Sequence, residues 1–139
     1  MLKANCILLV DDNQTSTFLH QQLINKLDIA HQVLLARNGQ QGLEVMEQHF
    51  QTEAVYPELI LLDIKMPVMD GFAFFEAFQQ MNLDKQSAPQ VVVLTTSLAA
   101  VDIERAREIG IQYFVNKPLT AQKLQDVWPK HIRKTVPEQ

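Results

Sequence analysis

The sequence predicts an α/β fold: a doubly wound, five-stranded parallel sheet in the order 2-1-3-4-5, with helices on both faces. Two observations predict it. Short apolar runs alternate with longer segments of helical spacing, strand then helix, five times along the chain. Three of the runs are near-continuous in Ile, Leu and Val, the pattern of strands covered on both faces. Right-handed crossovers then place the helices on both sides of the sheet.

The first strand is read over Cys6–Val10. In the helix after it, Leu19, Leu23 and Leu27 recur at four-residue spacing, with Phe18 and Ile24 beside them. The second strand is Gln32–Ala36, followed by a stripe of Leu43, Met46 and Phe50. The third is Leu59–Leu62, followed by Phe72, Phe75 and Phe78. With Phe74 the helix carries four rings, most of them expected in the core; Phe74 falls off the main stripe, and a partner surface is its lesser alternative. The fourth strand is Val91–Leu94, and its helix carries Ile103, Ala106 and Ile109 before stopping at Gly110. The fifth is Gln112–Val115, with Leu124, Val127 and Trp128 behind it. Trp128 is expected to pack on the sheet. Pro129 lacks a backbone donor and clashes one turn back, so the last helix should kink or stop near Trp128. One domain is expected over residues 4–128, with 129–139 a helix end and polar tail.

Composition narrows the function. The chain has 139 residues, 47% hydrophobic and 20% charged, enough to bury one real core. A net charge of −4 argues against a general nucleic-acid-binding surface. Cys6 is the single cysteine and reads as a buried small apolar residue, which suits a reducing compartment. Met1 to Cys6 carries no signal-peptide pattern, and no run approaches the ~18 apolar residues of a membrane span. A soluble cytoplasmic protein is expected, without membrane or nucleic-acid partners. His20, His31, His49 and His131 show no metal-binding spacing and read as surface residues.

The chemistry concentrates at strand ends. Asp11 and Asp12 directly follow the first strand, and Asp63 directly follows the third. Those strand ends are neighbours in the expected sheet, at the edge where such folds bind ligands. One aspartate after a strand is equally a helix cap or turn former. Three at one edge repel one another, and a hard divalent cation relieves them. All-oxygen ligands favour magnesium, which also binds phosphoryl oxygens. Thr95 ends the fourth strand and Lys117 follows the fifth, so both face the same edge. A lysine there offers a positive charge, and a threonine hydroxyl a hydrogen bond, to a phosphoryl group. An aspartate is a weak nucleophile that can take such a group as a labile acyl phosphate.

At these residues the sequence resembles the receiver domain of two-component response regulators, over about residues 4–128. Leu8-Leu9-Val10-Asp11-Asp12-Asn13 is similar to the family's acidic pair. Leu61-Leu62-Asp63-Ile64-Lys65-Met66-Pro67-Val68-Met69-Asp70-Gly71 resembles its acceptor motif. Val93-Leu94-Thr95 and Phe114-Val115-Asn116-Lys117-Pro118 resemble its fourth and fifth strands.

The resemblance implies the flavodoxin-like strand order and a single-domain switch that self-dephosphorylates slowly, not an enzyme. Asp63 is implied as the phosphoacceptor. Mg²⁺ is implied on Asp11, Asp12, Asp63 and the backbone carbonyl of Lys65. Lys117 is implied to pair with the phosphoryl group, and the Lys117–Pro118 bond is implied to be cis. Thr95 and Phe114 are implied as the switch pair, reshaping the face of the fourth helix, fifth strand and fifth helix. The implied partners are a histidine kinase or histidine phosphotransfer protein and a downstream protein; a homodimer is compatible.

Some positions depart from the family's usual residues. Phe114 stands where tyrosine is common, and Thr96 where a very small residue is usual. Lys65 and Ser97 stand two residues after Asp63 and Thr95, positions that in the family tune phosphate lifetime. Three other classes fit less well. A haloacid dehalogenase-type phosphatase needs an acid two residues after its nucleophile, where this chain has Lys65. A flavin binder needs a phosphate-cradling loop where Asp11 and Asp12 would repel one. A non-phosphorylated interaction domain would have no use for the full residue set.

Overall fold

The computed structural model describes residues 3–84, 88–96 and 99–129. Strands and helices alternate: β1 (Ala4–Val10), α1 (Gln14–Leu27), β2 (Ala30–Ala36), α2 (Gly39–Glu53), β3 (Leu59–Leu62), α3 (Gly71–Gln80), β4 (Gln90–Thr95), α4 (Ala100–Ile109), β5 (Tyr113–Asn116) and α5 (Ala121–Val127). The strands form one parallel sheet in the order β2-β1-β3-β4-β5, as the sequence predicts.

The continuous apolar strands follow from coverage on both faces. Ile7, Leu8, Leu9 and Val10 stand beside Leu59, Ile60, Leu61 and Leu62. Successive side chains point to opposite faces. Leu8, Val10, Ile60 and Leu62 join Met46 of α2, the α3 phenylalanines and Ala106 of α4. Ile7, Leu9, Leu59 and Leu61 join Ile24 of α1, Leu124 of α5 and Trp128. Burying each Leu or Ile contributes about 2 kcal/mol, so both layers hold the sheet. Asn13, Asn38, Asp70 and Thr120 cap α1, α2, α3 and α5 through their side chains, each contributing about 1 kcal/mol. α4 ends at Gly110, whose φ of 110° suits glycine. α5 stops at Val127, before Pro129, and Trp128 is buried against the sheet. The fifth strand lies one residue later than expected, over Tyr113–Asn116.

Three readings of side chains need correction, and the partner-surface alternative for Phe74 falls away. Leu19 and Phe18 are 51% and 57% exposed, while His20 and Ile24 are buried. The inward stripe of α1 is therefore one residue out of phase with the Leu19 spacing, with Leu23 and Leu27 on its flank. Phe50 is 39% exposed and stacks on Tyr56 at 4.5 Å rather than entering the core. Phe74 is fully buried, because α3 packs against both α2 and α4. A Cβ on Gly42 of α2 would lie 2.9 Å from its ring, so the glycine leaves the space that ring fills. His49 is buried, as is His20; His31 is exposed as expected. Ser97, His131 and the tail beyond Pro129 lie outside the described residues. Among the described residues no helix is long and apolar enough to cross a membrane.

Candidate functional site

The sheet brings the acidic residues together. Asp11 N–H donates to Ala36 O at 2.9 Å, and Asp63 N–H donates to Val10 O at 2.9 Å. Each aspartate thus extends a ladder one step past its strand, at the ends of adjacent strands. Asp11, Asp12 and Asp63 each offer a carboxylate oxygen, all within 4.8 Å of one another. Asp11 is buried, Asp63 half-buried and Asp12 exposed.

Lys117 balances them. Its backbone N–H donates to Thr95 O at 2.8 Å, which ties the end of β5 to the end of β4. Its ammonium lies 2.7 Å from Asp11 Oδ2 and 3.5 Å from Asp63 Oδ2. The Lys117–Pro118 bond is cis, as the resemblance implies. Thr95 is buried at the same edge. Lys65 is exposed in the loop after Asp63, and Thr96 is exposed beside Thr95. Phe114 is half-buried on β5 against the α2–α4 layer, with the Arg107 guanidinium 5.7 Å from its ring centre.

The three carboxylates are not equivalent. Asp11 Oδ1 accepts from Asn13 N–H at 2.9 Å. Its Oδ2 accepts from Lys117 Nζ and, at 3.1 Å, from the Ser16 hydroxyl. A carboxylate has about four acceptor sites, so protein donors fill most of those on Asp11. Asp63 Oδ1 accepts from Ile64 N–H at 2.8 Å. Burial, and then the charge on Asp11, push the Asp63 carboxyl above its ordinary range; Lys117 and the Ile64 N–H pull the other way. Gly71 keeps the site compact. A Cβ there would lie 2.5 Å from Asp63 O and 2.8 Å from Ile64 Cα.

The sequence reading missed two residues. Ser16 and buried His20 lie behind Asp11, the Ser16 hydroxyl 3.5 Å from His20 Nδ1. Only spacing could have pointed to them: Ser16 and His20 stand eight and four residues before buried Ile24, on one helix face.

A doubly wound sheet with its acidic side chains gathered at the carboxyl ends of β1 and β3 belongs to the class of α/β folds whose ligand sites lie at that edge. The family follows from comparison. The model described as the response regulator receiver domain matches residues 7–128, and the chain belongs to that family. It is 30% identical over 118 residues to a probable chemotaxis protein CheY from Rhizobium etli, covering 85% of this chain and 84% of that one. A crystal structure of a two-component response regulator from Cytophaga hutchinsonii superposes with a TM-score of 0.80 at 26% identity, covering 92% and 96% of the two chains. The Mn²⁺-bound form of response regulator Rcp1 superposes with a TM-score of 0.71 at 25% identity, covering 93% and 97%; the sequence of Rcp1 from Synechocystis is 32% identical over 112 residues, 80% of this chain and 75% of that one. The chain also matches two sensor histidine kinases, CheAY of Helicobacter pylori (28%) and GacS of Pseudomonas protegens (31%), covering 91% and 90% of this chain but 15% and 13% of their length. Receiver domains act as phosphoacceptor switches in two-component signalling. They bind divalent metal at an acidic pocket and meet histidine kinases or phosphotransfer proteins.

Proposed function

We propose that Asp63 accepts a phosphoryl group from a phosphohistidine of a histidine kinase or histidine phosphotransfer protein. The observation that carries this is the Lys117 ammonium set between Asp11 and Asp63, at 2.7 and 3.5 Å, at the carboxyl edge of the sheet. An ionised Asp63 oxygen attacks phosphorus, the P–N bond to the donor imidazole breaks, and the imidazole takes a proton. The chain's own contribution is positioning and charge. Lys117 exchanges its contact with Asp63 for the arriving phosphoryl oxygens, and its grip on Asp11 keeps it at the edge. The Thr95 hydroxyl donates to a phosphoryl oxygen.

The donor set fits Mg²⁺: clustered carboxylate oxygens without sulfur or imidazole. Asp12, Asp63 and the Lys65 carbonyl would hold it, with Asp11 contributing through water because its oxygens are largely engaged. When bound, magnesium neutralises the charge gathered on the phosphoryl oxygens. Thr95 and Phe114 form the switch, and the face of α4, β5 and α5 is read by a downstream protein. The unit that performs this is residues 4–128, acting in the cytoplasm, and the acyl phosphate is lost by slow self-hydrolysis.

The test is labelling by acetyl phosphate, followed by intact mass. One phosphoryl group should appear on the wild-type protein with Mg²⁺ and none in EDTA. Asp63→Asn should abolish labelling, and equal labelling of that variant would sink the assignment.

A further inference from the structure

We propose that His20 is a positioning residue for phosphoryl acceptance: through two hydrogen-bonded arms it fixes the Asp11 carboxylate and the segment carrying Lys117 relative to each other. The proposal rests on Asp63 being the acceptor.

His20 sits in α1, 4% exposed. Its Nε2 lies 3.4 Å from Leu119 N, two residues beyond Lys117, and its Nδ1 lies 3.5 Å from Ser16 Oγ. Ser16 Oγ in turn donates to Asp11 Oδ2 at 3.1 Å, the oxygen that Lys117 Nζ holds at 2.7 Å. A closed circuit results. Asp11 Oδ2 reaches the 117–119 segment directly through the ammonium, and indirectly through Ser16 and His20.

Hydrogen-bond direction makes the circuit specific for a neutral ring. The Leu119 N–H can only donate, so Nε2 must accept. The ring proton then resides on Nδ1 and points at Ser16 Oγ. That leaves the Ser16 hydrogen for Asp11. The donors run one way, Leu119 to His20 to Ser16 to Asp11, and a doubly protonated ring would turn a donor onto the Leu119 N–H. Burial first, and then the Lys117 charge, favour the neutral ring; Asp11 opposes them. The two bonds to His20 are long, so its contribution is orientation and not strength. Orientation matters here because Lys117 must face both carboxylates and an arriving phosphoryl group from one backbone position. Partners behind a metal-binding or reacting group commonly change affinity or rate by about tenfold or more when removed.

Three variants and one cycle test this. His20→Leu keeps the volume and removes both arms. His20→Gln keeps an acceptor for Leu119, and His20→Asn keeps a donor for Ser16. With acetyl phosphate at saturating Mg²⁺, His20→Leu should label about tenfold more slowly, with His20→Gln and His20→Asn in between. In a Ser16→Ala background the His20→Leu effect should shrink, because one arm is already cut. Mg²⁺ affinity, read by calorimetry, should weaken in parallel. A residue that only packs would lower the unfolding midpoint and leave the labelling rate and Mg²⁺ affinity of the folded protein unchanged. Wild-type rates in folded His20→Leu, or full additivity with Ser16→Ala, would overturn the proposal. Should His20→Leu not fold, wild-type rates in both His20→Gln and His20→Asn would overturn it equally. If the wild-type protein itself takes no label, the acceptor reading fails; if it labels and the His20 variants match it, only this inference fails.

Discussion

Replacing Asp63 by asparagine is expected to stabilise the metal-free protein, although the residue sits at the centre of the site. Asp63 and Asp11 present oxygens within 4.8 Å, a repulsion of at least about 3.5 kcal/mol at an effective dielectric near 20. Asp12 is exposed and adds only about 1 kcal/mol at the same separation in water. The Lys117 ammonium at 3.5 Å returns about 5 kcal/mol. The charges therefore cancel to within about 1 kcal/mol, and burial decides the sign. The Asp63 side chain is only 12% exposed, so ionising it costs solvation that an amide does not lose. The amide oxygen can still accept from Ile64 N–H. A gain of about 1–2 kcal/mol follows, or about 3 °C in unfolding temperature per kcal/mol.

Urea unfolding followed by far-UV circular dichroism measures it, in EDTA and then with Mg²⁺. In EDTA near neutral pH the Asp63→Asn midpoint should be the higher. The difference should close as pH falls. Native Asp63 holds its proton at higher pH than the unfolded chain does, so its destabilising contribution disappears as pH drops through the raised native value. Saturating Mg²⁺ should reverse the order, since a ligand at about a hundred times its Kd stabilises by about 2.7 kcal/mol and the variant has lost a ligand oxygen. A less stable variant in EDTA would refute this balance of repulsion, burial and lysine attraction.

Three further outcomes are expected. Phe74→Ala should lower stability by about 3–5 kcal/mol, because the ring is fully buried between α2 and the sheet; a loss under 1 kcal/mol in the urea midpoint would mean that the ring is not in the core. Gly71→Ala should lower stability by about 2 kcal/mol and slow labelling by acetyl phosphate, since its methyl group would press on the backbone of Asp63 and Ile64; unchanged values of both would count against the close approach. The Cys6 thiol, fully buried and pushed up to about 12 chiefly by burial, should resist a thiol reagent at mildly alkaline pH until the chain unfolds, and rapid stoichiometric modification of the native protein would contradict that placement.

Which features were legible in the sequence follows from how far apart their causes lie. Asp11, Asp63 and Lys117 each follow directly on a strand, Asp12 comes next after Asp11, and Thr95 is the last residue of β4, so local pattern places them at strand ends and topology gathers the strand ends. The acidic cluster needs no further information than that. His20 is different. Its partners are Ser16, one turn away, and Leu119, 99 residues away. No local pattern announces a bond to a backbone N–H just past a cis proline, so scattered histidines read as surface.

Two phenylalanines sharpen the point. Phe18 and Phe74 both stand beside the main apolar stripe of their helices, yet Phe18 is 57% exposed and Phe74 fully buried. Periodicity cannot separate them, because it finds one covered face per helix. α3 runs between α2 and α4, which widens its buried arc, and Gly42 on the neighbouring helix leaves the space that the Phe74 ring fills. The side of α1 that carries Phe18 opens beside Leu35 of edge strand β2 and the acidic residues, so the same residue type meets solvent there. Burial off the stripe is therefore set by neighbouring elements, and it becomes readable only after the order of the layers is known.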